Sequence, residues 1–317
     1  MLISVIICTR NRANQLRRVL DSASELIVPE PINWELIVVD NGSTDDTKAV
    51  CNLYQENLPI KYVFESSPGL SLARNKGVAA AQGEYICWTD DDVIIDPLWL
   101  QAYYQAFRKY PHSALFGGVI DPLTEIALPE WWKLNENTLD SVLAKLNLGN
   151  VERPLTLDKD LLPYGANFAV KTAEQRKWLY DLHLGVSPNQ NRLGEETEVM
   201  RSILKTEEGV WVPGAIVSHV IPKERLSFKY LAKYFKSAGE TWAYLSTSNK
   251  DNFMGKSFNL RSNFVPIWML RSIFFNFILY TISRLTAGKA KSVIYWTSLN
   301  YSIGAAGYII ERYMIKN

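Results

Sequence analysis

Four short apolar runs alternate with helical patterns up to residue 90. Leu2 to Thr9 is hydrophobic at nearly every position, as expected of a strand buried on both faces. Trp34 to Asp40 is a second run, closing on an acid, and Ile60 to Phe64 a third. Glu84 to Thr89 is the fourth and leads into Asp90-Asp91-Asp92. Between them, Ala13 to Leu26 sets Leu16, Val19, Leu20, Ala23 and Leu26 on one helical face. Asp45 to Glu56 repeats the pattern, with Ser43 or Thr44 as the expected N-cap. Leu70 to Ala81 is alanine-rich and stops at Gly83. Strand–helix alternation at this spacing predicts βαβ units and an α/β fold with a largely parallel sheet.

Beyond residue 110 the pattern loosens. Leu115–Ile120 and Tyr164–Val170 read as strands, and 172–181, 195–205 and 227–245 as helices. Pro129-Glu130-Trp131-Trp132 lies in a polar stretch that reads as a long functional loop. The tryptophans serve there either as a lid or acceptor platform or as a core pair. No internal repeat or flexible linker interrupts the chain. Leu2–Thr9 has no basic residues before it, so it reads as a strand and not as a signal peptide.

The last segment changes character. Phe264–Ile282 carries one charge, Arg271, and Val293–Ile310 carries none. Both approach the length needed to span a bilayer. A two-span hairpin would place the basic link Arg284, Lys289 and Lys291 outside, against the positive-inside tendency. Two helices lying in the inner leaflet are therefore expected, with buried core helices as the plainer alternative.

Composition narrows the function. Of 317 residues, 47% are hydrophobic and 21% charged, enough for a packed core and too apolar for disorder. Cys8, Cys51 and Cys87 form no CxxC pair, which disfavours a disulfide scaffold or cysteine zinc site and fits a reducing compartment. A net charge of +1 excludes a globally basic nucleic-acid binder. That total hides an asymmetry: residues 258–317 hold seven Lys/Arg and one acid, Glu311. The split points the C-terminal end at an anionic surface.

In an open parallel sheet, ligands bind outside the carboxyl ends of the strands. The polar residues closing the runs cluster at those ends: Thr9-Arg10-Asn11-Arg12, Asp40-Asn41-Gly42-Ser43 and Asp90-Asp91-Asp92. Alternation along an extended backbone would set Asp90 and Asp92 on one side, where two carboxylates suit Mg²⁺ or Mn²⁺. The alternative is an acidic turn capping a helix that begins near Pro97. Asp40 reads either as a helix cap or as an acceptor for a nucleobase. Arg74 is either solvated or phosphate-facing. Glu195, Glu196 and Glu198 are either first-turn helix acids or the source of a general base. His219 is a lone histidine at an expected strand end.

These blocks together resemble family 2 glycosyltransferases of the GT-A type. The matching residues are Ser4–Arg12, Val38–Asp45, Gly69–Gly77 running through Gly83–Ile86 into Asp90–Asp92, and Gly194–Glu198. The resemblance covers roughly residues 1–225, a catalytic domain, and leaves 226–317 as a helical, membrane-associated C-terminal region. It implies a Rossmann-like, mostly parallel sheet flanked by helices, followed by an apolar helical extension. It also implies sugar transfer with inversion from a UDP-, GDP- or dTDP-sugar to a glycan or lipid-linked acceptor hydroxyl, in cell-surface or extracellular polysaccharide synthesis. Carried over by position, Thr9, Arg10, Arg12, Asp40, Arg74, Asp90 and Asp91 would contact the donor. Asp40 would lie at the base, Asp90 by the ribose and Arg74 facing the diphosphate. Asp92 and His219 would hold Mg²⁺ or Mn²⁺. The family's Glu-Asp pair is here Glu195-Glu196, with Glu196 taken as the base and Glu195 as the alternative. The expected location is the cytoplasmic face of the cell membrane, with no nucleic-acid partner. Competing readings are a sugar-phosphate nucleotidyltransferase, for which the first strand lacks a Gly-rich phosphate loop, and a non-catalytic membrane-associated scaffold.

Overall fold

The structure is a computed structural model that describes residues 1–157, 162–248 and 264–316. The chain divides into two compact units. The first comprises residues 1–123, 144–190 and 195–220, and the second 124–143, 191–194 and 221–317.

The strands are β1 (Leu2–Thr9), β2 (Asn33–Asp40), β3 (Ile60–Phe64), β4 (Tyr85–Asp90), β5 (Val93–Ile95) and β6 (Leu115–Thr124). They continue as β7 (Arg153–Leu155), β8 (Asn167–Lys171), β9 (Gly185–Ser187), β10 (Gln190–Arg192) and β11 (Gly209–Ile221). The helices of the first unit are α1 (Ala13–Ser24), α2 (Thr47–Tyr54), α3 (Leu70–Ala80), α4 (Trp99–Lys109), α7 (Thr172–Lys177) and α8 (Glu195–Ile203). Those of the second are α5 (Glu130–Lys133), α6 (Glu136–Leu139), α9 (Phe228–Thr247), α10 (Ile267–Thr286) and α11 (Gly288–Lys316).

The first unit is built on one sheet in the order β3-β2-β1-β4-β8-β6-β11-β5, with β7 pairing β11. The four apolar runs form its parallel half, with β2 and β4 pairing β1, and β3 pairing β2. Ile3, Ile6 and Ile7 on β1 are fully buried because helices cover both faces. Parallel pairing stops at β4. β8 runs antiparallel to both β4 and β6, and β5 and β7 run antiparallel to β11. The sheet is therefore mixed: past Asp92 the chain no longer alternates strand with helix, and without crossover helices neighbouring strands pair antiparallel.

Asn167 ties β8 to α4, β6 and β11. Fully buried on β8, it accepts from Trp99 Nε1 and Tyr103 Oη, each at 2.8 Å, and donates to the Val119 and Ala215 carbonyls, each at 2.8 Å. Every polar atom of its amide is satisfied, so burial carries no unpaired-group penalty. Gly83 serves close approach: a Cβ there would sit 2.5 Å from Ser4 N. Cys8, Cys51 and Cys87 are all free thiols.

Several local expectations are corrected. Neither Ser43 nor Thr44 caps α2. Asp46 is the N-cap residue, and Asp45 Oδ1 accepts from the Thr47 backbone N–H at 3.1 Å. Helix α4 starts at Trp99, and Asp91 and Asp92 do not cap it; Asp96 accepts from Leu98 N at 2.8 Å there. Helix α7 ends at Lys177. The Pro129–Trp132 stretch is helical, not a loop: α5, α6 and a 3₁₀ turn follow one another. Trp132 is fully buried in the apolar cluster of the second unit, with Leu139, Leu143 and Leu231, while Trp131 is partly exposed beside it. In the same unit α9 and α11 pack backbone to backbone. A Cβ on Gly239 would lie 1.9 Å from the Tyr301 carbonyl oxygen, and one on Gly304 would lie 2.0 Å from that of Lys236. Among the described residues no helix is long and apolar enough to cross a membrane.

Candidate active site

The carboxyl ends of β2, β1 and β4 lie side by side, because the register pairs Thr9 with Asp40 and Cys8 with Asp90. The polar residues that close these strands are thereby gathered at one rim of the first unit. Each of two arginines holds a group of acids there.

Arg12 is the first. Its Nη1 meets Asp91 Oδ1 at 2.5 Å and Asp92 Oδ2 at 3.4 Å. Asp91 also accepts from Thr9 Oγ1 at 2.7 Å. Burial pushes the Asp91 carboxyl up to about 6, with Arg12 opposing the rise. Arg12 itself is held above its ordinary value: burial works against its charge, but Asp91 and Asp92 outweigh it. Asp91 is thus a buried anchor between β1 and the β4 end, and Arg10 stands exposed beside it at the rim.

Arg74 is the second. It is 4% exposed, so the solvated reading of this residue fails. Its Nη2 lies 3.6 Å from Asp90, and its Nη1 lies 3.5 Å from Glu195 and 3.7 Å from Glu196. The Tyr180 and Trp88 rings lie 5.3 and 5.9 Å from the guanidinium carbon, within cation–π range. These ion-pair distances exceed hydrogen-bond length, and Nη1 is buried without a hydrogen-bond partner. An unsatisfied guanidinium nitrogen ringed by acids is a ready donor to a carboxylate or phosphate oxygen.

Glu195 and Glu196 open helix α8, as first-turn acids should, but their environments differ. Glu195 is 4% exposed, and burial, with the neighbouring Glu196 charge, pushes its carboxyl up to about 8. Glu196 keeps more solvent access, with 18% of its side chain exposed.

His219 is brought to the acids by strand register. On β11 it pairs with Val93 of β5, immediately after the triplet, and Val220 N donates to the Asp92 carbonyl at 2.9 Å. The His219 Nε2 and Asp92 Oδ1 atoms are 3.4 Å apart and both residues are buried. Two ligands about 2.1 Å from one octahedral ion lie about 3 Å apart, so this pair fits one edge of a divalent site. Among the described residues no group of three or more His, Cys, Asp or Glu side chains is placed to hold a metal. An imidazole and a carboxylate alone make a partial site of the kind that substrate phosphates complete.

Asp40 lies one strand away. It is 2% exposed and accepts from Ser43 N at 2.8 Å and from Tyr62 Oη at 2.7 Å. It therefore shapes the turn after β2, where Gly42 takes φ 71°, and caps no helix. Asn41 extends that turn, donating to the Ser67 carbonyl at 2.7 Å and accepting from Gly69 N at 2.7 Å, ahead of α3. The residues that support the site without a signal of their own are Trp88 and Tyr180. Gly165 did carry one, since glycine in a strand pattern marks close approach. A Cβ there would meet Arg74 Nη2 at 2.7 Å and Glu196 Oε1 at 3.4 Å.

A half-parallel, half-antiparallel sheet bearing acids at the strand ends defines a GT-A type glycosyltransferase fold. TarS 1–349 from S. aureus, crystallised with UDP, superposes on 100% of this chain and 92% of its own at a TM-score of 0.56 and 15% identity. The mannosyltransferase PcManGT from Pyrobaculum calidifontis, in complex with GDP-Man and Mn²⁺, covers 96% of this chain and 86% of its own at 0.59 and 18%. Residues 4–156 match the family model "Glycosyl transferase family 2". Glycosyltransferase GlyA of Streptococcus pneumoniae serotype 4 (strain ATCC BAA-334 / TIGR4) is 33% identical over 116 residues, 36% of this chain. The aligned stretch spans only 16% of GlyA.

Proposed function

We propose that this protein transfers a sugar from a nucleoside diphosphate sugar to an acceptor hydroxyl, with inversion at the anomeric carbon. The observation that carries the reading is the meeting, within one unit, of the buried Glu195, a solvent-reachable Glu196, the Arg74 cation and the Asp92–His219 pair. The family match and the UDP and GDP-Man complexes of the structural neighbours support a nucleotide-sugar donor. The acceptor belongs, on this reading, to a glycan or a lipid-linked sugar of a cell-surface polysaccharide.

Glu196 accepts the hydroxyl proton as the acceptor oxygen attacks the anomeric carbon and the bond to the nucleoside diphosphate breaks. Burial raises the Glu195 carboxyl and so favours its neutral form beside the base. Arg74 holds both glutamates and Asp90 in place, offsetting charge at the reacting centre. Asp92 and His219 would hold a divalent cation, Mg²⁺ or Mn²⁺, with the donor's phosphates, and the ion would neutralise charge on the leaving diphosphate. The Mn²⁺ in the PcManGT complex supports that assignment.

The test is nucleoside diphosphate release from a panel of nucleotide sugars, with membrane lipid extracts and glycans as acceptors. Glu196→Gln should lower turnover about 10²- to 10⁴-fold while leaving the donor dissociation constant unchanged. No release from any donor, or full turnover by the Glu196→Gln enzyme, would overturn the reading.

A further inference from the structure

The second unit carries a surface the transfer chemistry does not use. Helix α10 presents Ile267, Leu270, Phe274, Phe277 and Leu285 at helical spacing along one side. All are exposed, Phe274 by 61%, Phe277 by 57% and Leu285 by 82%. Contiguous exposed apolar surface of this kind marks an interaction site. Arg284 and Arg271 flank the stripe, and both are exposed.

At the C-terminal end of this helix lies a groove of about 540 Å³, lined among others by Trp131, Phe228, Tyr280, Arg284 and Lys289. Its wall is aromatic: the Trp131 and Phe228 rings are 4.9 Å apart, and Tyr280 stands 4.7 Å from Trp296. The Arg284 guanidinium lies 5.7 Å from the Phe228 ring centre. Ser227, which caps α9 by accepting from Tyr230 N at 3.2 Å, places that helix's positive end at the same groove. Residues 264–310 contain no aspartate or glutamate. Two cations, a helix N-terminus and amphipathic rings beside an apolar stripe are complementary to one partner chemistry: a phosphate group at the boundary of a hydrocarbon layer.

We propose that the second unit docks on an anionic phospholipid bilayer, with the α10 stripe lying in the interface plane and a lipid phosphate held between Arg284 and Lys289. The helix lies on the membrane and does not cross it. The proposal stands whether or not the first unit carries out the proposed transfer.

Flotation of the full chain with phosphatidylcholine vesicles, and with phosphatidylcholine–phosphatidylglycerol vesicles, tests it. Binding is expected to the anionic vesicles, weak to the neutral ones, and to fall as salt rises. Each basic residue at an anionic surface contributes about fivefold, so Arg284→Gln with Lys289→Gln should weaken partitioning about 25-fold. Phe274→Ser with Phe277→Ser should also release the protein, and unchanged unfolding midpoints would show that both double variants are folded. Equal binding to the two vesicle types, or wild-type binding by the Arg284/Lys289 variant, would overturn the proposal. So would full competition by soluble glycerophosphoglycerol, which would assign the groove to a free phosphate ester. Light scattering that shows a dimer dispersed by the phenylalanine changes, without vesicle binding, would assign the stripe to a second copy of the chain.

Discussion

Glu195 and Glu196 are the same amino acid one peptide bond apart, yet burial separates their chemistry. Glu195 is enclosed with Arg74, and its carboxyl is pushed up to about 8. In the unfolded chain it ionises near the ordinary glutamate value of about 4.3. Between those values the folded state holds a proton that the unfolded state has lost. Glu195 therefore contributes stability at low pH that disappears as pH rises through about 8. Denaturation midpoints of the ligand-free protein should fall across this window, with a slope from this group approaching about 1.4 kcal/mol per pH unit. Glu195→Gln keeps the shape, removes the titration, and should flatten that slope. An unchanged pH profile would show that Glu195 does not titrate as described. The acids and Arg74 were visible in the sequence as types at suggestive positions. Which glutamate is protonated, and that Arg74 is buried under carboxylates between two rings, follows from packing among residues far apart in the chain.

Helix α11 shows where local preference and tertiary contact oppose each other. In an exposed helix, glycine to alanine gains up to about 1 kcal/mol by propensity. Gly307 has nothing within 4 Å of a built Cβ, so Gly307→Ala should stabilise by about that amount. At Gly304 the same change drives a methyl to 2.0 Å from the Lys236 carbonyl oxygen of α9. Overpacking of this kind costs about 1–3 kcal/mol or more, so Gly304→Ala should destabilise. Chemical denaturation of the two variants measures the sign directly, and two stabilised variants would show that the helices do not pack this closely. Element type was legible for the βαβ repeats because one periodicity served each element throughout. It was illegible around Trp131 and Trp132, where two single-turn helices are too short to show a period. As the triplet's partner, His219 entered the sequence reading only through the family resemblance, because the pairing of β11 with the three-residue β5 is set by sheet register across more than 120 residues of chain.

Binding and charge distribution act on the molecule as a whole. A ligand that binds only the folded protein stabilises it by mass action, about 2.7 kcal/mol at a hundred times its dissociation constant. Nucleoside diphosphates should raise the thermal midpoint, and Mn²⁺ should enlarge the rise. Asp92→Asn should remove the Mn²⁺ increment and leave the metal-independent part, because one of the two buried side chains 3.4 Å apart proposed to hold the ion is lost. A Mn²⁺ increment that survives in Asp92→Asn would move the ion elsewhere. The unequal charge of the two ends of the chain was legible by counting, and so were the four apolar runs and the order of the acidic blocks, since periodicity and composition are local properties. What only the folded chain decided was which half of the sheet turns antiparallel, which carboxyl keeps its proton and which aromatic face remains open. Those depend on strand register, desolvation and helix contact, and each joins residues that the sequence holds far apart.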